Sequence, residues 1–228
     1  MVRQLNKLVI LTCALSLFFI QVKSQDISKL NEKIENATQV LKDFGSMKER
    51  IPEKLLDISQ GIIIVPKMIN AGFVLAGKRG KGIAMVKLPD GTWSNPVFVT
   101  ITGGSLGFQV GIQAVDLVLI FKQRSTLQEI GNGSFTLGGD ISATAGPVGR
   151  NSTASTDYKM EAEVYSYSRS KGLFAGISLS GSAIDIDKKA NESFYKDFTS
   201  AEDLFSNGNE NESDLVMQMK HELSSLYN

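Results

Sequence analysis

From residue 27 onward, apolar side chains recur at Ile27, Leu30, Ile34, Ala37, Leu41 and Phe44, with Lys, Glu and Asn between them. That spacing predicts an amphipathic helix with one apolar stripe, closed by Gly45. Pro52 stands where a first-turn proline belongs, and Leu55, Leu56 and Ile58 follow in a second, two-turn helix that stops by Gly61. Beyond Gly61 the period changes. Ile62-Ile63-Ile64-Val65 and Gly72 to Gly77 read as β-branched or glycine-bounded strands. Gly82 to Leu88 and Thr92 to Ile101 flank Pro89-Asp90-Gly91, an Asp-Gly turn that predicts an antiparallel pair. Further strands are expected over Leu106 to Val110, Val115 to Phe121, Phe135 to Ala145, Lys159 to Tyr167 and Leu173 to Ile186.

So many strands joined by short connections predict an α+β fold: an antiparallel, barrel-like β-sheet with packed N- and C-terminal helices. A doubly wound α/β fold needs helices between its strands, and the pattern offers none there. At the C-terminal end, Thr199-Ser200-Ala201-Glu202 has capping-box spacing, Ser206 to Asp214 reads as an acid-rich linker, and Leu215, Val216, Met219, Leu223 and Leu226 line one face of a last helix.

The first 24 residues carry a different signal. Arg3 and Lys7 precede an apolar run from Leu8 to Ile20, and Val22-Lys23-Ser24 comes after it. This is the layout of a secretory leader cut before Gln25, and the run is short of the roughly twenty apolar residues a membrane-spanning helix needs. Thr12 before Cys13 departs from a lipoprotein signal. The expected organisation is therefore a leader (1–24), an N-terminal amphipathic helix (25–50), a central β-rich domain (51–198) and a C-terminal helical extension (199–228), in a protein exported to the periplasm or the cell envelope if the source is bacterial.

Lys plus Arg and Asp plus Glu each number 24 in the 228 residues. The whole chain is neutral, and loss of Arg3, Lys7 and Lys23 takes it to a net charge of about −3. A general attraction to nucleic acid is not expected. The sole cysteine, Cys13, lies in the leader, which removes disulfides, thiol catalysis and Cys-ligated zinc from a processed chain. With one histidine, His221, a transition-metal site is not expected, while an all-oxygen cation site using acids such as Asp185 and Asp187 stays open. Asn-x-Ser/Thr triplets at Asn36, Asn132, Asn151, Asn191 and Asn211 would matter only in a eukaryotic host.

Three spans resemble chemistry-bearing motifs. Gly103-Gly104-Ser105-Leu106-Gly107 fits a nucleophile elbow, but the residues after it alternate like a strand rather than forming the required helix, so a Ser105-dependent hydrolase is a remote alternative. Gly72 to Lys78 has P-loop spacing, yet Arg79 replaces the magnesium-binding Ser or Thr. Lys78-Arg79-Gly80-Lys81-Gly82 is a concentrated basic run between two expected strands, read either as a solvated turn or as a phosphate-facing loop whose glycines let backbone amides approach. No catalytic residue, metal or cofactor is assigned.

In order along the chain, Ile51-Pro52-x-x-Leu55-Leu56, Gly61-Ile62, Ala71-Gly72-Phe73, Gly80-x-Gly82 and Leu88-Pro89-Asp90-Gly91-Thr92-Trp93-Ser94-x-Pro96 are followed by Gly103-Gly104, Gly107-x-Gln109-x-Gly111 and Asp116-Leu117-Val118. Leu137-Gly138-Gly139-Asp140, Ala145-Gly146-Pro147-x-Gly149-Arg150, Tyr165-Ser166-Tyr167-Ser168-x-x-Lys171-Gly172-Leu173-Phe174-Ala175-Gly176 and Asn191-x-x-Phe194-Tyr195 complete the series. Over residues 51 to 198 this resembles the SYLF (Ysc84-like) family of lipid-binding domains, in its exported bacterial form. The resemblance implies a non-enzymatic, membrane-associated module; eukaryotic members bind phosphoinositides and fungal ones also bind and bundle actin. Unlike those members, this sequence is expected to carry a leader and no SH3 or FYVE partner domain.

The resemblance and the residue pattern together lead to an expectation of peripheral phospholipid binding. Leu55, Leu56 and Ile58 are expected to enter the acyl boundary while Lys48, Arg50, Lys54, Lys78, Arg79 and Lys81 meet phosphates. Arg150, after a Gly-Pro turn, either binds a lipid phosphate or pairs with Asp116 or Asp140. A protein partner in the envelope, docked on the N-terminal stripe, is the alternative.

Overall fold

A computed structural model describes residues 26–47, 51–73, 75–106, 111–133, 135–141, 143–146, 162–171, 173–174, 177–195, 200–208 and 213–226. The expected leader, Lys48, Arg50, Arg150 and the triplets at Asn151 and Asn211 lie outside these residues.

Helix α1 (26–45) and the short α2 (Glu53–Ile58) precede a hairpin of long strands, β1 (Gly61–Phe73) and β2 (Leu75–Val86). Strands β3 (Val97–Leu106) and β4 (Gly111–Phe121) come next, then helix α3 (Arg124–Asn132), β5 (Phe135–Leu137), β6 (Ala143–Ala145), β7 (Val164–Ser170), β8 (Leu173–Phe174) and β9 (Ser182–Ile186). Helices α4 (Lys188–Phe194), α5 (Ala201–Ser206) and α6 (Asp214–Leu226) end the chain. The strand order is β5-β9-β3-β2-β1-β4-β7-β6, with β8 paired to β7. All pairs are antiparallel except β6 with β7.

The sheet curls because its two edge strands are close in sequence. Eight strands laid flat would set β5 and β6 about 34 Å apart. The chain from Leu137 to Ala143 can span only about 21 Å. The result is the expected barrel-like sheet, with Leu137, Ile141 and Ala143 from this connection packed in the core of the concave face.

Both faces are covered. Ile63, Val65 and Met68 of β1 point into the concave core, where Leu127 and Ile130 of α3 and Leu204 and Phe205 of α5 fill the interior. Ile62 and Ile64 point the other way, into a second core built with α1, α2, α4 and α6. A strand buried on both faces has no polar side, which is why β1 opens as an unbroken apolar run. The expected turn at Pro89-Asp90-Gly91 is present: Asp90 Oδ1 accepts from Thr92 N (2.9 Å) and Thr92 Oγ1 (2.7 Å), which holds its carboxyl below the usual range, and Gly91 takes φ +84°.

Several expectations need correction. Phe135 to Ala145 is two short strands on opposite edges of the sheet, and Leu173 to Ile186 is likewise divided between β8 and β9. The helix cap at the C-terminal end is Ser200, one residue later than the expected Thr199: its Oγ accepts from Asp203 N at 3.0 Å and donates to Asp203 Oδ2 at 2.8 Å. Helix α3 is not expected from the sequence pattern, since its nine residues, with Gly131 inside, offer only Leu127 and Ile130 as large apolar positions.

Candidate functional site

The leucines of α2 are structural. Leu55 and Leu56 are buried in the outer core, and only Lys54 and Ile58 of the expected lipid-facing set on this helix are exposed. An α2 turned that way cannot place Leu55 and Leu56 in a bilayer without leaving the sheet.

The basic run is not a loop. Residues 78 to 82 lie within β2, where successive side chains alternate between faces. Lys78 turns into the concave side and is buried, donating to the backbone carbonyl of Ser178. Arg79 and Lys81 point outward and are exposed. Lys81 Nζ meets Asp187 Oδ2 at 2.7 Å. Gly80 and Gly82 accommodate the neighbouring β1 bulge rather than a phosphate: a Cβ at Gly80 would lie 2.5 Å from Val65 Cγ1, and one at Gly82 would lie 2.3 Å from the Ile64 carbonyl oxygen.

One ionic clamp holds α1 on the outer face, and a second ion pair lies beside the helix. Asp187 caps α4 by accepting from Ala190 N and serves Lys81, with Lys33 of α1 nearby. Burial works against its ionisation, but the hydrogen bond and charge of Lys81 outweigh that and hold the carboxyl below its ordinary pKa. Burial, with the charge of Lys81, lowers Lys33. Arg169 of β7 contacts Asp43 of α1 and, at 2.9 Å, Asp116 of β4, while its guanidinium lies 5.7 Å from the Phe44 ring centre. Asp116 thus pairs with Arg169 and accepts from Lys67 N at 3.0 Å, and Asp140 accepts from Thr136 N at 2.7 Å within its own turn. Asp187, as cap and ion-pair partner, is no longer free for the open cation reading, and no group of three or more potential metal ligands occurs among the described residues.

Other described motif residues are scaffold. Asn191 is fully buried: its Oδ1 accepts from Phe98 N, and its Nδ2 donates to the carbonyls of Phe98 and Asp187. It brackets α4 against β3 and is no surface acceptor. Tyr195 Oη donates to the Pro96 carbonyl at 2.6 Å. A Cβ on Gly146 would fall 2.1 Å from Cζ of the buried Tyr167 ring, whose phenol is pushed well up by burial. Trp93 is buried in the outer core. Ser105 sits in β3, paired to Ala76, and His221 is exposed on α6.

Among the described residues, the uncovered part of the outer face is the end carrying the β1–β2 hairpin. There Ile69 is 43% and Ile112 81% exposed. Ile69 stands opposite Arg79 on β2 and Ala114 on β4, and Ile112 stands opposite Ala71. Exposed Lys67, held at φ 48° in the bulge, adjoins them. Among the described residues, neither Lys67 Nζ nor the Arg79 guanidinium has a carboxylate partner, and the adjoining Asp116 is neutralised by Arg169. The result, among the described residues, is an uncovered apolar face beside two cations that have no carboxylate partner. Sequence reasoning finds Arg79 but misses Ile69, Ile112 and Lys67. Their signal is an inversion: concave-facing positions read Val65, Met68, then Asn70 along β1, and Val115, then Gln113 along β4, so the apolar side chains change faces at this end.

A family model described as "Ysc84: Las17-binding protein actin regulator" matches residues 102–226. The chain is 36% identical over 175 residues to "SH3 domain-containing YSC84-like protein 1" of Xenopus laevis, covering 74% of this chain and 52% of that protein. It is 35% identical over 175 residues to the Homo sapiens protein of the same name, covering 74% and 51%. To "LAS seventeen-binding protein 3" of Saccharomyces cerevisiae it is 38% identical over 159 residues, covering 68% and 34%. The chain spans about half the length, or less, of these curated relatives, which are eukaryotic. With the family match covering more than half its residues and running through α6, the chain belongs to the Ysc84 (SYLF) family.

Proposed function

We propose that this protein is a non-catalytic binding module that docks peripherally on anionic phospholipid surfaces, using the bare hairpin end of its outer sheet face. The observation that carries this reading is the pairing of exposed Ile69 and Ile112 with the cations Lys67 and Arg79, which have no carboxylate partner among the described residues. Isoleucines can enter the acyl boundary while flanking cations meet headgroup phosphates. This placement requires no unfolding. Exposing Leu55 and Leu56 instead would cost about 3–6 kcal/mol of lost burial before any lipid contact formed. With residues 1–24 acting as an export leader, the surface met is that of the cell envelope.

Co-sedimentation with vesicles tests the reading. Binding to phosphatidylglycerol-containing vesicles is expected to exceed binding to phosphatidylcholine and to weaken with salt. The folded double variant Ile69→Glu/Ile112→Glu is expected to lose at least about tenfold in partitioning, since each buried isoleucine contributes about 1.5–3 kcal/mol. Arg79→Gln should lose roughly fivefold, for about 1 kcal/mol per basic residue near the surface. Equal binding by the double variant and the unaltered chain would contradict the assignment.

A protein partner is the second reading, favoured by the Las17-binding description of the matching family and of the yeast relative. The same face would then meet an acidic protein surface, and the unaltered chain would bind no vesicles.

A further inference from the structure

On the concave side, at the same end of the sheet, one lateral row of paired residues is polar. Gln113, Asn70, Lys78, Gly103 and Ser182 are consecutive partners across β4, β1, β2, β3 and β9. The parallel row of concave-facing residues below it, Val115, Met68, Gly80, Ile101 and Ile184, has no polar side chain. We infer that Lys78 and Ser182 form an anion-binding subsite on the concave face, fitted to a phosphate or carboxylate group.

Lys78 is 5% exposed and Ser182 is fully buried. Of the three donors on the Lys78 ammonium, one is used, on the Ser178 carbonyl, and no described carboxylate pairs with it. Among the described residues, the Ser182 hydroxyl has no hydrogen-bond partner. Gly103 separates the two in the row, and a Cβ there would stand 2.5 Å from Ser182 Oγ, so only glycine lets the Ser182 side chain lie over this position. A buried ammonium without a counter-charge is costly, and burial lowers its pKa. A bound anion offsets that cost with charge-assisted hydrogen bonds, strengthened by the dry apolar row beneath. Ser178 is exposed, so the site lies close to solvent. The site is on the opposite face from Ile69 and Ile112 and does not depend on vesicle docking.

The test is thermal unfolding of the full chain titrated with inorganic phosphate, and separately with soluble dihexanoyl phosphatidic acid, against chloride at matched ionic strength. Both probes should raise Tm saturably, by roughly 5–11 °C at a hundredfold excess over the dissociation constant. A tighter midpoint for the lipid analogue identifies a headgroup as the source of the anion, and equal midpoints identify free phosphate. Lys78→Met, which replaces the buried charge with an apolar chain of similar length, should abolish the rise. Ser182→Ala should shift the midpoint by about tenfold, as loss of a hydrogen bond to a charged group does. No saturable rise in the unaltered chain, or a rise retained in Lys78→Met, would overturn the inference. Should Lys78→Met not fold, an unchanged midpoint in Ser182→Ala overturns it instead.

Discussion

Gly82→Ala should lower stability by about 3 kcal/mol, read as a Tm fall of roughly 6–12 °C. The added methyl would stand 2.3 Å from the Ile64 carbonyl oxygen and 2.7 Å from Val65 Cγ2. Both belong to the stretch of β1 next to its bulge, which is held between β2 and β4 and cannot retreat. A flexible side chain could move aside, but a paired backbone carbonyl can do so only by breaking its ladder. Gly77, five positions earlier in the same strand, has nothing within 4 Å of its added Cβ. Gly77→Ala should therefore be neutral or stabilising by up to about 1 kcal/mol, from reduced unfolded-state freedom. Paired thermal melts decide the matter: similar losses at both positions would mean that Gly82 is not the seat of the bulge.

Asn191→Leu should cost about 3 kcal/mol with little change in side-chain volume. It leaves the buried Phe98 N–H without its acceptor and withdraws the donor shared by the Phe98 and Asp187 carbonyls. The Phe98 carbonyl keeps the Asp187 N–H at 2.9 Å, which limits the loss. Asn191→Asp preserves the acceptor but places a carboxylate against two carbonyl oxygens, so it should be the worse variant at neutral pH. Its carboxyl would have a raised pKa in the folded state, so the folded state binds more protons than the unfolded one and stability recovers as pH falls. Urea unfolding of both variants across acidic and neutral pH checks the order and the sign. An Asn191→Asp variant whose stability is independent of pH would contradict the bracket.

These two positions separate what is legible in the sequence from what is not. Asn191-x-x-Phe194-Tyr195 and Gly80-x-Gly82 stand out as motifs, yet a motif does not say whether it holds a ligand or the fold. Only the register does: it puts Asn191 across from Phe98 and the glycines against the β1 bulge. The antiparallel sheet, the Asp90-Gly91 turn and the helical ends come from period and turn chemistry, because those signals are local. The curl depends on β5 and β6, each three residues long, finding opposite edges of the sheet, and strands that short specify no partner by themselves.

The site is obscured by the same cause. Lys78, Arg79 and Lys81 form one cluster in the linear sequence, but a two-residue period sends Lys78 to one face and its neighbours to the other. Leu55 and Leu56 have the look of a membrane anchor until the rest of the outer core is seen to cover them. The switch of apolar positions to the outer side at Ile69 and Ile112 is present in the sequence, but it reads as a switch only once the faces of β1 and β4 are known.

Docking through the hairpin end is tested most directly by an environment-sensitive dye at single cysteines. Cys13→Ser removes the native thiol, and Ile112→Cys or Ile58→Cys then supplies one exposed site on the sheet end or on α2. On adding phosphatidylglycerol vesicles, the dye at position 112 is expected to shift to the blue and the dye at position 58 to stay unchanged. A blue shift at 58 with none at 112 would put α2 in the bilayer and contradict docking through the sheet.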